Sequence, residues 1–248
     1  MRLPLILTLL TLTLLIAYII QQVLRTQSLI HIGEALAAKT IPYSREVVDA
    51  KLKILFVGDS TGVGVGASSP EESIAGMVGA MYPSAAIVNK AVSGAKVADV
   101  IHQLKDIPDA SYALVMVHIG GNDVVRFTKD EDVQRDIAVV LEQAQRKGSF
   151  VLLTSTGNVG TAPLLPAATR WLFERKTRSV RAILLAQVAA TNSANVRFPD
   201  LFREHSQDPF FLNPEIYYAA DSFHPSTKGY QDWFQFISKE LEMFPLEK

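Results

Sequence analysis

The chain of 248 residues has no cysteine. Disulfide cross-links, thiolate zinc sites and a cysteine nucleophile are therefore excluded. It also lacks an excess of either charge, with 24 Lys and Arg against 25 Asp and Glu. No basic stripe interleaved with aromatics is present, so nothing favours a nucleic-acid partner. Internal repeats and low-complexity tracts are missing too. His31, His102 and His205 stand at no metal-ligand spacing, and no metal or cofactor is expected. The length allows one large domain with an extension, not two ordinary catalytic domains.

The extension is at the start. Leu3 to Ile20 is an apolar run without charge, roughly 18 residues and close to the length that crosses a bilayer. It ends in Tyr18-Ile19-Ile20-Gln21-Gln22, with no small-x-small cleavage pattern nearby. An uncleaved signal anchor over residues 1–24 fits better than a cleaved secretory signal. Arg2 and Arg25 flank the run, a pattern that tilts only weakly toward a domain outside the cytoplasm, in the periplasm or at the cell surface. Residues 25–50 read as a juxtamembrane helical linker that ends before Pro42.

From residue 51 to 248 the hydrophobic rhythm changes. Short β-branched runs at Ile54–Val57, Ala86–Asn89, Ala113–Ile119, Phe150–Thr154 and Asn195–Phe198 alternate with longer amphipathic segments. Five such runs separated by helices predict an α/β fold with a parallel sheet covered on both faces. Ser69-Pro70-Glu71-Glu72 and Thr128-Lys129-Asp130-Glu131 carry the pattern of helix-opening capping boxes. Gly148 is the expected stop of the second of these helices, and a last helix is expected after Pro225.

In a parallel sheet the loops after the strands gather on one edge, where ligands bind. Ser60 follows the first run, Gly94 the second, Asn122 the third, and Asp221-Ser222-Phe223-His224 the fifth. These are the parts for acyl transfer through a serine. His224 is the natural base for the Ser60 hydroxyl, and Asp221 would hold its imidazole. The Ser60 N–H, the Gly94 N–H and the Asn122 amide could donate to a developing oxyanion.

The four segments Gly58-Asp59-Ser60, Gly94, Gly120-Gly121-Asn122-Asp123 and Asp221-Ser222-Phe223-His224, in this order, resemble the conserved blocks of the SGNH/GDSL hydrolase family. The resemblance covers about residues 50 to 245. It implies a flavodoxin-like three-layer α/β/α sandwich with five parallel strands and an esterase, lipase or thioesterase activity that needs no cofactor. It makes Ser60 the nucleophile, Asp221 and His224 the rest of a triad, and Gly94 and Asn122 oxyanion donors. The substrate expected is a lipid or small acyl ester. Thr61 stands where the family's name expects leucine, and is expected to alter packing more than chemistry. The glycine-rich stretch Gly62 to Gly66 is unusual beside the family pattern.

Other readings of the same residues are weaker. Gly58-Asp59-Ser60-Thr61-Gly62 matches the nucleophile elbow of α/β-hydrolases, but that elbow normally comes after several strands. Gly62 to Ala67 satisfies a loose dinucleotide pattern, yet no acid ends the following strand, which offers Asn89 and Lys90. A non-catalytic binding module that kept the pocket, and an acetylesterase acting on cell-envelope polysaccharide, stand as alternatives in function. Asp59 and Asp123 are expected to brace their loops, and His118 to be a satisfied core histidine. Trp171, Leu172 and Phe173, with Leu164 and Leu165, form a possible acyl groove. Phe210, Phe211, Tyr217 and Tyr218 are candidates for the pocket wall. The cations from Arg170 to Arg181 read as a solvated helix face.

Overall fold

The computed structural model describes residues 2–246. The first residue of the expected anchor and the last two of the expected domain therefore lie outside it. Helix α1 (Arg2–Lys39) is one unbroken rod of 38 residues. At 1.5 Å per residue it is about 57 Å long, nearly twice a bilayer's hydrocarbon thickness. It is long and apolar enough to cross a membrane. From Pro4 to Ile20 it is exposed, and its second half lies against the rest of the protein.

The five expected strands form. They are β1 (Lys53–Gly58), β2 (Ala86–Asn89), β3 (Tyr112–His118), β4 (Gly148–Thr154) and β5 (Val196–Arg197), all parallel, in the order β2-β1-β3-β4-β5. Alternation along the central strands explains the layers. Leu55, Val57, Val115 and Val117 point to one face and pack with α4 (Val97–Lys105), α6 (Asp130–Lys147) and α7 (Arg170–Ala190). Ile54, Phe56, Leu114 and Met116 point to the other, toward α3 (Ile74–Met81) and α10 (Thr227–Leu241). All eight are fully buried. Each such side chain contributes about 1.5–3 kcal/mol, so β1 and β3 are the strands least able to shift. Four short helices complete the chain: α2 (Ser60–Val63), α5 (Gly121–Val125), α8 (Pro209–Leu212) and α9 (Pro214–Tyr217).

Between α1 and β1 the chain is fastened to the outer edge of β2. Arg45 and Ile87 exchange two backbone hydrogen bonds at 2.9 and 2.8 Å. The Arg45 guanidinium donates to the carbonyls of Gly79, Tyr82 and Ala85. Two of these belong to the end of α3 and the residue that follows it, where carbonyls lack helical partners.

Two expected helix starts are corrected. Ser69 makes no capping bond; Pro70–Glu72 is a single 3₁₀ turn, and the true cap of α3 is Ser73, whose Oγ accepts from the Gly76 N–H at 3.1 Å. Ser73 is extended, with φ −74° and ψ 167°, which ends the turn and lets the same residue cap α3. Helix α6 begins at Asp130 with no side-chain cap from Lys129. Its carboxylates Asp130, Glu131 and Asp132 instead face the positive end of the helix dipole. Gly148 does end α6, and the chain passes directly into β4.

Ser73→Ala should therefore lower stability by about 1 kcal/mol, while Ser69→Ala stays near neutral. Urea denaturation midpoints at unchanged slope check this.

Candidate active site

The strand order reverses at β1. After β2 the chain crosses to the far side of β1 to lay down β3, and a crevice opens where the carboxyl ends of these two strands diverge. Ser60 leaves β1 and Asn122 leaves β3 at this crevice. The ladder continues one residue past the strand, with the Asp59 N–H donating to the His118 carbonyl at 2.9 Å.

Ser60 opens the one-turn helix α2. Asp59 caps it: Oδ1 accepts from the Thr61 N–H at 2.9 Å and from the Thr61 hydroxyl at 2.7 Å. Thr61 therefore holds the buried Asp59 carboxylate by a bond that leucine could not make, a chemical role beyond the packing expected of it. Gly66 explains part of the glycine-rich stretch. Its φ is +96°, and a Cβ there would lie 2.3 Å from the Pro225 carbonyl oxygen and 3.2 Å from the His224 Cβ. Only glycine lets this loop close on the histidine.

The histidine sits on a loop closed at its base by an antiparallel bridge between Tyr218 and Pro225. Ser222 adopts a left-handed φ of +58° at its tip. Asp221 Oδ1 accepts from the Phe223 and His224 N–H groups, both at 3.0 Å. Its Oδ2 lies 2.5 Å from His224 Nδ1. His224 Nε2 lies 2.9 Å from Ser60 Oγ. Burial tends to raise the Asp221 carboxyl, but the bond and charge of His224 and the two N–H donors outweigh it, and its pKa falls below the usual value.

Asn122 lines the same pocket as Ser60 and His224. One N–H of its amide donates to the Ala95 carbonyl at 3.0 Å, which fixes the group and leaves its second N–H available. Gly94, at φ +82°, lies on the neighbouring β2–α4 loop in a separate depression with Val92, Ser93 and Asp99. The structure thus brings Ser60, Asp221, His224 and Asn122 together, and leaves Gly94 outside the pocket lining. Asp123 braces its loop as expected, accepting from the Val97 N–H at 3.0 Å.

The pocket beside Ser60 has a volume of about 50 Å³ and is walled by Val159, Leu201, Phe210, Tyr218, Phe223 and Trp233. Of the expected aromatic wall, Phe210 and Tyr218 are present, whereas Phe211 stacks on His205 at 4.3 Å. Of the two readings of Trp171 to Phe173 with Leu164 and Leu165, an acyl groove or plain packing, the groove does not form. Trp171 is 60% exposed, Leu165 is buried in the core, and neither touches the pocket. The cations of α7 are more engaged than a solvated face would be: Lys176 binds Asp130, Arg178 binds Glu174 and Glu204, and Arg181 binds Asp200.

Three polar atoms beside the pocket were not anticipated from sequence. Thr156 Oγ1, Asn158 Nδ2 and Trp233 Nε1 are buried and make no hydrogen bond among the described residues, and all three residues line the pocket. Thr156 and Asn158 follow β4, on the same sheet edge that flagged the other loops, so position alone was a usable signal.

Residues 56–231 match the profile of the GDSL-like Lipase/Acylhydrolase family. The chain belongs to this family. It is 26% identical over 195 residues to the GDSL-like esterase Rv1075c of Mycobacterium tuberculosis, an alignment covering 75% of this chain and 60% of that protein. The fold matches a lipolytic G-D-S-L family protein from Veillonella parvula at a TM-score of 0.60 and 18% identity, over 76% of this chain and 97% of the other. A lipase/acylhydrolase from Enterococcus faecalis gives 0.56 and 19%, over 79% and 100%.

Two buried titratable groups beneath the site oppose each other in pH. Burial, against the Thr61 hydrogen bonds, pushes the Asp59 carboxyl from 3.8 up to about 6. Burial pushes His118 from 6.5 down to about 4. His118 is a core residue as expected but only half satisfied: Nδ1 meets Thr154 Oγ1 at 2.8 Å, and Nε2 has no partner. The raised Asp59 favours folding at low pH, and that contribution is lost as pH rises through about 6. The lowered His118 favours folding above 6.5, a contribution lost as pH falls through about 4. Each is worth about 3 kcal/mol at most. Asp59→Asn keeps the acceptor for Thr61 and removes only the first. Its stability advantage over the parent should grow from near zero at about pH 4 to about 3 kcal/mol by about pH 7, read by urea titration at each pH.

Proposed function

We propose that this protein hydrolyses carboxylic esters through an acyl-serine intermediate. The observation that carries the reading is the continuous line from Asp221 Oδ2 through both ring nitrogens of His224 to Ser60 Oγ, ending at the pocket. Asp221 accepts a hydrogen bond from the Nδ1–H, so Nε2 presents its lone pair to the Ser60 hydroxyl. As Oγ attacks the ester carbon, Nε2 takes the hydroxyl proton, and the carbonyl oxygen becomes negative. The Ser60 N–H, free at the start of α2, and the second Asn122 N–H support that oxygen, with Gly94 as the further donor expected from the family pattern. Collapse breaks the C–O bond to the alcohol, which leaves with the proton held on Nε2. Water then attacks the acyl-serine with the same base and restores Ser60.

The pocket favours a short acyl group. Its volume of about 50 Å³ is room for roughly four waters. The unpartnered Thr156, Asn158 and Trp233 atoms favour a substrate that brings its own oxygen atoms to the site, because buried donors left unpaired cost about 1–3 kcal/mol each. This supports a second reading within the same chemistry, an acetylesterase acting on cell-envelope polysaccharide. The apolar half of α1 is assigned to a membrane, with the catalytic domain on the extracytoplasmic side.

Ser60→Ala should abolish turnover of an aryl ester and labelling by a fluorophosphonate while the fold persists. Asn122→Ala should lower kcat by about 10²-fold with little change in KM; a rise in KM alone would show that Asn122 only positions substrate. Across esters from acetyl to palmitoyl, kcat/KM should be highest for the short acyl groups and fall as the chain lengthens.

A further inference from the structure

We infer that the second half of α1 buttresses Asp221 from behind the pocket, and that Gly33 is a positioning residue for Asp221. The inference rests on the serine-hydrolase reading above. Asp221 is 1% exposed. Its Oδ1 is occupied by two N–H donors and its Oδ2 by His224. The remaining side of Oδ2 is closed by the α1 backbone. A Cβ placed on Gly33 would lie 2.9 Å from Oδ2 and 3.5 Å from the Asp221 Cβ. The helix therefore sits flush on the carboxylate, and any side chain at 33 must displace either the helix or Asp221.

The helix is held at this point from both directions. Upstream, Arg25 Nη2 donates to the Pro163 carbonyl at 2.9 Å, and the Leu164 N–H donates to the Ser222 carbonyl, next to Asp221, at 3.0 Å. Downstream, Leu36 and Ala37 pack on Val63, Val65 and Ala91, the first two of which follow Ser60 on its own loop. One rigid rod thus bears on the loop of the nucleophile and on the loop of the acid. It brings no charge to the carboxylate: His31 and Glu34 pair with each other at 3.1 Å in solvent. The titratable groups that interact with Asp221 are His224 on its own loop and Tyr230 on α10. Removing the second half of α1 would uncover both Asp221 and the small apolar cluster.

The test uses the full-length protein in detergent, with Gly33→Ala, Gly33→Leu and Glu34→Ala. Kinetics on an aryl acetate, the pH profile of kcat/KM and thermal unfolding are measured together. Displacing Asp221 by a fraction of an ångström should lower kcat about tenfold for alanine and about 10²-fold for leucine, with KM nearly unchanged. A looser Asp221 stabilises the imidazolium less, so the acid limb of kcat/KM should move to lower pH. A purely structural role would reduce the melting temperature and the active fraction without moving that limb. Glu34→Ala should match the parent throughout. If the leucine variant does not fold, the single methyl of Gly33→Ala decides the matter. A folded Gly33→Ala with the parent's kcat and acid limb overturns the inference. Failure of Ser60 to react with a fluorophosphonate would instead overturn the serine-hydrolase reading on which it rests.

Discussion

The pairing of β1 with β3 is the constraint on which the site depends. The register sets Gly58 opposite His118, and both strands are buried on both faces. A slip of one residue would turn Leu55 and Val57 from the α6 side to the α3 side, inverting every core contact they make. The register that satisfies the core also fixes where β1 and β3 release the chain. The Ser60 and Asn122 loops then open side by side. Placement of Ser60 and of its amide neighbour Asn122 is a by-product of hydrophobic alternation in the strands that carry them.

The histidine loop reaches the site by a different route. It leaves no long strand, since β5 is only two residues. Its shape comes from local bonds: the Tyr218–Pro225 bridge, the left-handed Ser222, and the two N–H groups gathered by Asp221. Asp221 organises the turn that carries its own partner. This is why an acid three residues before a histidine is an efficient arrangement: one carboxylate shapes the loop with one oxygen and orients the imidazole with the other.

Much of this was legible in the sequence because it depends on local pattern. The five strand runs, the loops carrying Ser60, Asn122 and His224, and the bracing roles of Asp59 and Asp123 follow from alternation and from the chemistry of short motifs. The errors share a physical origin. Ser69 had the composition of a cap, but capping depends on where helical dihedrals resume, and Ser73 was the better placed of two nearby serines. Trp171 and Leu172 left a groove open as an alternative to packing because their hydrophobicity is visible in sequence and their orientation on α7 is not. Gly33 carried no signal at all. A glycine inside a helix reads as a weak helix former until the side chain it abuts, 188 positions later in the chain, is known.

The fastening of Arg45 to β2 has a consequence for molecules held together on one surface. Proteins confined to a plane meet at high local concentration, and an open sheet edge is then an invitation to join strand to strand. Here the β2 edge is already taken by the protein's own backbone, and the opposite border is a strand of two residues, too short to serve as a template. The segment that leads from the long helix into the sheet therefore also leaves copies brought side by side little free border on which to pair.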